Sequence, residues 1–154
     1  MSSLLDLRLV PRDDSDDETF KRGNMTIHLD DNGNPSTISG LAALEQDVLK
    51  AVFTGQQPDG YGTAVHRVVG TKNLGVVRAM TVYSVVTSLQ KLARIHKNQE
   101  RDFPTQFRGQ RVLESAETMV VDQITPVSLR IRADLRNRQN ELFGTTMRIQ
   151  ESTR

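Results

Sequence analysis

Cysteine and tryptophan are both absent from this chain of 154 residues, and aromatic residues make up only 5% of it. Without cysteine, the chain has no disulfide framework and no thiolate that could serve as a nucleophile or a metal ligand. The absence of cysteine also fits a reducing compartment. Because aromatic rings are so few, the core must be built from Val, Leu, Ile, Met and Ala.

Long hydrophobic runs are missing as well. A membrane-spanning helix needs about 18 or more consecutive apolar residues, and no stretch of this sequence contains such a run. The first residues show no basic region followed by an apolar core, so we expect no secretory signal. With 36% hydrophobic and 25% charged residues, the composition predicts a single soluble domain that does not contact a membrane.

The familiar motifs of catalysis and nucleotide binding are also lacking. His28, His66 and His96 lie far apart without metal-ligand spacing, and we expect them at the surface or at its boundary. Residues 70–73 (GTKN) do not match the ending of a phosphate-binding loop, and no GxSxG element occurs. Four carboxylates are candidates for a glycosidase pair, but we interpret them as the polar faces of helices: Glu45, Asp47, Glu114 and Glu117. The sequence therefore predicts no enzyme activity, no metal and no cofactor.

The net charge of +1 conceals an uneven distribution. Residues 1–64 hold 5 Lys/Arg and 11 Asp/Glu, whereas residues 65–154 hold 15 Lys/Arg and 8 Asp/Glu. Opposite charge on the two halves supports head-to-tail assembly between copies or subunits. Ion pairing within one molecule explains the same pattern equally well.

The first 24 residues are predicted to form an arm. Residues 4–10 (LLDLRLV) alternate partly, which predicts a short strand or a frayed terminus. Five acidic residues follow between Asp13 and Glu18, and such a run repels itself and buries no apolar surface. We therefore expect residues 1–24 to form a flexible arm with an acidic linker, and residues 25–154 to form the folded domain.

Helical periodicity dominates the middle of the chain. After a predicted strand (residues 25–29) and a turn (DDNGNP), apolar residues over 41–53 predict a helix that is capped by Thr37 or Ser39 and ended by Gly55. A short helix is expected over residues 63–69, and a long one begins at Asn73. A second apolar stripe on the long helix predicts contacts on more than one side: Val76, Ala79, Met80, Tyr83 and Val86.

A third helix and a hairpin are predicted for the last part of the chain. Val112, Leu113, Ala116, Met119 and Val120 follow helical spacing. From residue 127 the period changes to two, with apolar residues at odd positions up to Leu135 and again from Phe143 to Ile149. The predicted fold is a small α+β domain, with about three helices on a short antiparallel sheet that ends in a β-hairpin. The terminal strand should leave a free edge, which is a template for pairing with another chain.

Five arginines can form a basic face on this hairpin: Arg130, Arg132, Arg136, Arg138 and Arg148. Such a face suits phosphates or an acidic protein surface. Aromatic side chains for base stacking are nearly absent there, which makes nucleic acid the weaker of the two hypotheses.

The central residues resemble the baseplate sheath-initiator family of contractile phage tails, also labelled "lysozyme-like" baseplate wedge proteins. The family commonly shows a helix of the form L-x-Q-x-[IVL]-x-x-x-L-x-T, a glycine, and a Tyr-Gly or Phe-Gly turn that opens a short helix. This chain approximates that pattern with Leu44, Gln46, Val48, Thr54, Gly55, Tyr61 and Gly62. The similarity in element order covers about residues 25–150. The loop before the long helix (VVGTKNLG) lacks the Glu-Pro-Arg-like triplet that many members carry.

The resemblance implies a structural role in the virion, at the tail baseplate, after assembly in the host cytoplasm. In such proteins the C-terminal strands offer an edge to which the first sheath ring adds its own strands. The implied partners are the tail sheath protein and the wedge and tube or hub proteins, with about six copies per tail. The implied interface comprises Leu129, Arg130, Ile131, Arg132, Ala133, Asp134, Thr145, Thr146, Met147, Arg148 and Ile149. In this hypothesis Val127 and Phe143 help to pin the hairpin onto the helices. The alternatives are another small tail or wedge protein and a basic nucleic-acid-binding α+β module.

Overall fold

The computed structural model describes residues 6–11, 20–21, 25–70, 72–105, 107 and 109–150. The acidic run between Asp13 and Glu18, which was predicted to be part of a flexible linker, lies outside the described residues. The strands are β1 (Asp6–Leu7), β2 (Leu9–Pro11), β3 (Phe20–Lys21), β4 (Met25–Ile27), β5 (Thr37–Ile38), β6 (Leu113–Thr125), β7 (Ser128–Asn137) and β8 (Leu142–Gln150). The helices are α1 (Gly40–Phe53), α2 (Val65–Val68) and α3 (Leu74–Asp102), with a 3-10 turn at Gly109–Arg111.

The predicted α+β class is confirmed, and so is the C-terminal hairpin. The main sheet has the order β3-β8-β7-β6, in which β6, β7 and β8 are antiparallel and β3 adds parallel to β8. Two small sheets, β1 with β5 and β2 with β4, lie near the amino terminus. The helices are the predicted first, short and long ones, and Asn73 caps α3 by accepting a hydrogen bond from the Val76 amide at 3.2 Å.

The predicted helix over residues 112–120 is wrong, because this segment begins β6. The strand of 13 residues pairs with β7 from Leu113 opposite Asn137 to Thr125 opposite Ser128. Register shifts fall after Leu113, after Ala116 and after Gln123. At each of the first two shifts, β6 contains one extra residue that has no partner on β7. Leu113, Ala116 and Met119 therefore lie opposite alternate residues of β7, and apolar residues of this strand are spaced three apart. Glu114 and Glu117 are therefore strand residues and not the polar face of a helix.

The core lies between the helices and one face of the sheet. Helix α1 is buried on several sides, with Leu44, Val48 and Val52 at most 1% exposed. β7 contributes Leu129, Ile131, Ala133 and Leu135, and β8 contributes Met147 and Ile149, all of them buried. Because these side chains follow the alternation of the two strands, they form one continuous apolar face against α1 and α3.

Helix α3 buries one stripe and leaves the second exposed. Val77, Val85 and Leu89 are at most 2% exposed and face the core. Val76, Met80 and Tyr83 are 45%, 49% and 75% exposed, so within the described chain the long helix is covered on one side. The predicted cover of Val76, Met80 and Tyr83 is therefore not found among the described residues.

Residues 6–11 are held against the domain by backbone hydrogen bonds. The Arg8 amide donates to the Ser36 carbonyl at 2.9 Å, and the Arg8 carbonyl accepts from the His28 amide at 2.9 Å. The turn between β4 and β5 is closed by Asp30, whose carboxylate accepts from the amides of Asn32 and Asn34. These bonds also hold the pKa of the Asp30 carboxyl below its usual value. The boundary predicted after residue 24 stays a prediction.

Candidate functional site

The predicted interface residues lie on β7 and β8 and divide between the two faces of the sheet. Leu129, Ile131, Ala133, Thr145, Met147 and Ile149 are buried, and they point toward the helices. Arg130, Arg132, Asp134, Thr146 and Arg148 alternate with them on the outer face. Val127 was expected to pin the hairpin, but it lies in the turn between β6 and β7 and is 43% exposed. Phe143 is half-buried and packs against the core as predicted.

Carboxylates from β6 and β7 accompany the basic outer face. Asp122 accepts hydrogen bonds from Arg130 at 3.2 Å and from Arg132 at 3.1 Å. Asp134 accepts from the Thr118 hydroxyl at 2.6 Å, and Arg148 donates to the Ser128 hydroxyl at 2.9 Å. The outer face is therefore a mixed network of charges and not a continuous positive surface.

The other two predicted arginines are also paired. Arg136 lies 3.1 Å from Glu117 and donates to the carbonyl and side-chain oxygens of Asn140. The Ser115 hydroxyl and Arg136 together lower the pKa of the Glu117 carboxyl. Arg138 lies in the turn after β7, where it contacts Glu100 at 3.4 Å and Glu114 at 3.5 Å. Arg138 therefore connects α3 to the sheet and does not belong to the outer face.

The two outer strands of the antiparallel part of the main sheet, β6 and β8, differ in regularity. β8 pairs with β7 over nine positions without a register shift, from Leu142 opposite Arg136 to Gln150 opposite Ser128. β6, at the other edge, carries three register shifts, and such bulges make an edge a poor template for strand addition. The regular edge of β8 is thus the better acceptor of another strand.

The edge of β8 carries a short strand of the same chain. β3 runs parallel to β8, with Phe20 opposite Met147 and Lys21 opposite Arg148. It contains two residues, whereas β8 contains nine. No other strand lies beside residues 142–146 on that edge among the described residues. Among the described residues, pairing on that side of β8 is confined to two positions.

The motif residues after α1 form a tightly bonded loop. The Thr63 hydroxyl donates to the Val52 carbonyl at 2.6 Å, and the Gly62 amide donates to Ser88 on α3 at 3.0 Å. Thr54, whose hydroxyl donates to the Lys50 carbonyl at 2.6 Å, ends α1. A Cβ atom at Gly62 would collide with the Gly55 carbonyl. The backbone at Gly62 can therefore lie this close to the backbone at Gly55 only because residue 62 is glycine.

Gln46 is the motif residue whose role the sequence did not reveal. Its side chain is 5% exposed. The amide donates to the Leu7 carbonyl and accepts from the Leu9 amide, both at 2.7 Å. The side chain therefore bonds to residues 7–9 much as a neighbouring strand would, and it anchors them to α1.

A second polar group that sequence reasoning missed surrounds His96. The prediction of a surface histidine is wrong here, since His96 is 1% exposed. Its Nε2 lies 3.1 Å from Asp47, and its Nδ1 accepts from the Leu113 amide at 3.1 Å. Arg111 stacks 4.4 Å from the Phe107 ring and lies 3.9 Å from Asp47. The residues come from distant parts of the chain, so no local motif could have indicated them.

The buried polar group around His96 connects several secondary-structure elements. Because Nδ1 accepts the Leu113 amide, Nε2 carries the proton and donates to Asp47, so both ring nitrogens are engaged within the fold. A pocket of about 340 Å³ beside the group is lined partly by Tyr61, Gln99 and Arg111. Burial raises the pKa of Tyr61 and lowers that of Arg111. The arrangement connects α1, α3 and the start of β6.

Among the described residues, no group of three or more His, Asp or Glu side chains is placed to hold a metal ion. No helix in that part of the chain is long and apolar enough to cross a membrane. Comparisons with protein-family models, with curated proteins and with solved structures give no match to this chain.

Proposed function

We propose that this chain is a non-enzymatic structural subunit of a contractile-tail baseplate, which starts sheath assembly by strand addition to its C-terminal sheet. Its partners would be the tail sheath protein and the neighbouring wedge and tube or hub proteins, in about six copies per tail. The support from the sequence is the motif that includes Leu44, Gln46 and the Tyr61-Gly62 turn.

The observation that carries the proposal is the edge of β8. β8 is a regular strand of nine residues, and on its outer side two positions pair with a parallel strand among the described residues. Main-chain hydrogen bonds then supply affinity for an incoming strand, and alternate side chains supply its register. The buried apolar face of β7 and β8 keeps this edge fixed against the helices.

Two alternatives receive less support from the geometry. A nucleic-acid module needs an uncompensated basic surface, yet Arg130, Arg132 and Arg136 each contact a carboxylate. An enzyme that uses His96 as its acid or base also receives less support, because both ring nitrogens of His96 are engaged within the fold. Binding to DNA would weaken steeply with salt, whereas strand addition would depend on salt only slightly.

Seeding of sheath polymer by the purified chain tests the proposal. Removing β8 would be a poor test, because Met147 and Ile149 are 0% exposed and their loss would disrupt the core. Since the chain has no cysteine, a bulky maleimide polymer can instead be attached at Leu142→Cys on β8, where the native side chain is 59% exposed. Arg101→Cys, at the far end of α3, is the matched control.

The unlabelled variants and the labelled control should bind the sheath protein encoded in the same genome and shorten the lag of polymerisation. The labelled Leu142→Cys variant should do neither, because the polymer covers the outer side of β8 near residue 142. Equal seeding by both labelled variants would refute strand addition on β8. Failure of the native chain to bind sheath would refute the proposed function itself.

A further inference from the structure

We infer that the exposed side of α3, together with the neighbouring edge of β6, is a docking groove for an amphipathic helix of another protein. The partner helix runs antiparallel to α3, with acidic residues in its first turns and apolar residues in its later turns. The groove lies beside β6, which β7 separates from β8, so the inference goes beyond the proposed strand addition.

Exposed apolar side chains form the first half of this surface. Val76, Met80 and Tyr83 follow one another at intervals of four and three residues, and all three are exposed. This spacing places them on one face of α3, opposite the buried stripe that contains Val77 and Val85. Such a row of apolar residues on an exposed helix face is typical of a surface that packs against a second helix.

A groove runs beside this row. One hollow is lined by α3 alone, and a second, of about 440 Å³, lies between α3 and the first residues of β6. Both hollows include Val86 and Gln90, so they are continuous along the helix. The second hollow has apolar lining at Ala93 and Leu113, and its wall is formed by β6 at Ala116. Because β6 forms a wall, the groove suits a rounded helix better than a flat surface.

The second half of the groove carries two positive charges. Arg94 and Lys97 continue the spacing of the apolar row toward the end of α3, and both line the hollow beside β6. Glu114 lines the same hollow, but its carboxylate contacts Arg138 at 3.5 Å. Among the described residues, Arg94 and Lys97 form no ion pair. This end of the groove is therefore complementary to acidic side chains of a partner.

The charges of α3 disfavour a second copy of this helix as the occupant. Its first acidic residue is Glu100, which comes after four basic residues: Arg78, Lys91, Arg94 and Lys97. Two α3 helices side by side would therefore bring like charges together in either direction. A helix of a different protein, with Asp or Glu opposite Arg94 and Lys97, replaces this repulsion with attraction.

The direction of the partner follows from the helix dipole. Acidic residues stabilise a helix when they lie in its first turn, near the positive end of its dipole. An antiparallel partner places these first turns over Arg94 and Lys97, and its later turns over Val76, Met80 and Tyr83. From residue 75 to residue 97 the groove is about 33 Å long, which matches a helix of about 20 residues.

A synthetic helix tests the inference on the full-length chain. The probe is a fluorescent peptide of about 20 residues, built on alanine and glutamine, with glutamates in its first turns and leucines at helical spacing in its later turns. A matched peptide carries lysine at each glutamate position. In an anisotropy titration the glutamate peptide should bind, and the lysine peptide should bind about tenfold more weakly. Amide shifts on binding should concentrate at residues 76–97 and 114–116.

Substitutions in the chain identify the contacts. Arg94→Glu combined with Lys97→Glu should reverse the preference, so that the lysine peptide binds more tightly than the glutamate peptide. Arg67→Glu, the same change of charge at an exposed site on α2, should leave the preference unchanged. Tyr83→Glu should abolish binding of the glutamate peptide, whereas Leu142→Glu, at an exposed apolar site on β8, should not affect it.

Three outcomes would overturn the inference. The first is failure of the glutamate peptide to bind the full chain, or equal binding to the native chain and to the variant with Arg94→Glu and Lys97→Glu. The second concerns direction: a spin label at the peptide amino terminus should broaden amide signals near Lys97, and broadening near Val76 instead would refute the antiparallel orientation. The third is binding to vesicles of phosphatidylcholine and phosphatidylglycerol in place of the peptide, which would assign the surface to an anionic membrane.

Discussion

The anchoring of residues 6–11 by Gln46 leads to a prediction that the structure makes quantitative. Gln46→Ala removes a donor to the Leu7 carbonyl and an acceptor from the Leu9 amide, both bonded at 2.7 Å. A neutral hydrogen bond contributes roughly 1 kcal/mol of net stability, so the substitution should cost about 2 kcal/mol. The loss of stability cannot exceed the free energy with which residues 6–11 dock onto the domain, because these residues can separate while the rest of the domain stays folded.

Hydrogen exchange can measure this local release. The amides of Arg8 and His28 are suitable reporters, because their own partners, Ser36 and Arg8, are unchanged by the substitution. A cost of about 2 kcal/mol corresponds to roughly 30-fold faster exchange at these two amides. Exchange at the central Ile131 amide should remain unchanged, because opening of the segment does not involve the main sheet.

Two further variants control the interpretation. Gln46→Glu keeps an acceptor for the Leu9 amide but places a buried carboxylate against the Leu7 carbonyl, so it should accelerate exchange more than alanine does. Gln90→Ala, at an exposed site on α3, should have no effect. If Gln46→Ala leaves the exchange of Arg8 and His28 unchanged, the anchoring role of Gln46 is refuted. If Ile131 accelerates equally, the segment is part of the global folding unit.

Other substitutions test the loop, the core and a half-buried phenol. Gly62→Ala should cost more than about 3 kcal/mol in denaturant unfolding, because its Cβ would collide with the Gly55 carbonyl; Gly60→Ala, which has open space but also positive φ, should cost about 1 kcal/mol. Ile131→Ala should cost about 3 kcal/mol in the same measurement, since the side chain is 0% exposed. Burial raises the pKa of Tyr61, so the contribution of its neutral hydroxyl to stability is full below about pH 10 and is lost as pH rises through the folded pKa. Tyr61→Phe should therefore reduce the loss of unfolding free energy that denaturant titrations measure across that alkaline range.

The local elements could be predicted wherever one period ran without interruption. The alternation over β7 and β8 and the apolar stripe of α1 were correct, because each strand or helix buries a single face. β6 was predicted as a helix for a physical reason. Two bulges place Leu113, Ala116 and Met119 on one face at intervals of three, and this spacing is also typical of a helix.

The exposed stripe of α3 shows a second limit of predictions from apolar periodicity. Val76, Met80 and Tyr83 predicted a buried face, but they are exposed in the part of the chain that the structure describes. Apolar periodicity reports which residues share a side of a helix, and it does not report whether anything in the same molecule covers that side.

The candidate site could be predicted only in part. The hairpin residues and their alternation followed from the sequence, and the edge of β8 was the expected place for an added strand. That β3 already pairs with this edge was not predictable, because Phe20 and Lys21 are more than a hundred residues from their partners. The engagement of Gln46 and His96 was hidden for the same reason, since their partners come from other elements.

The sequence by itself determined the α+β class, the first helix, the long helix and the hairpin, because periodicity and turn chemistry act between residues that are near neighbours in the chain. The tertiary structure alone decided the order of the sheet, the regular edge at β8, the bulged edge at β6 and the internal strand that pairs with Met147 and Arg148. These features depend on contacts between distant segments. Such contacts are selected by the combined burial of apolar faces and the pairing of backbone groups, which no local stretch of sequence contains.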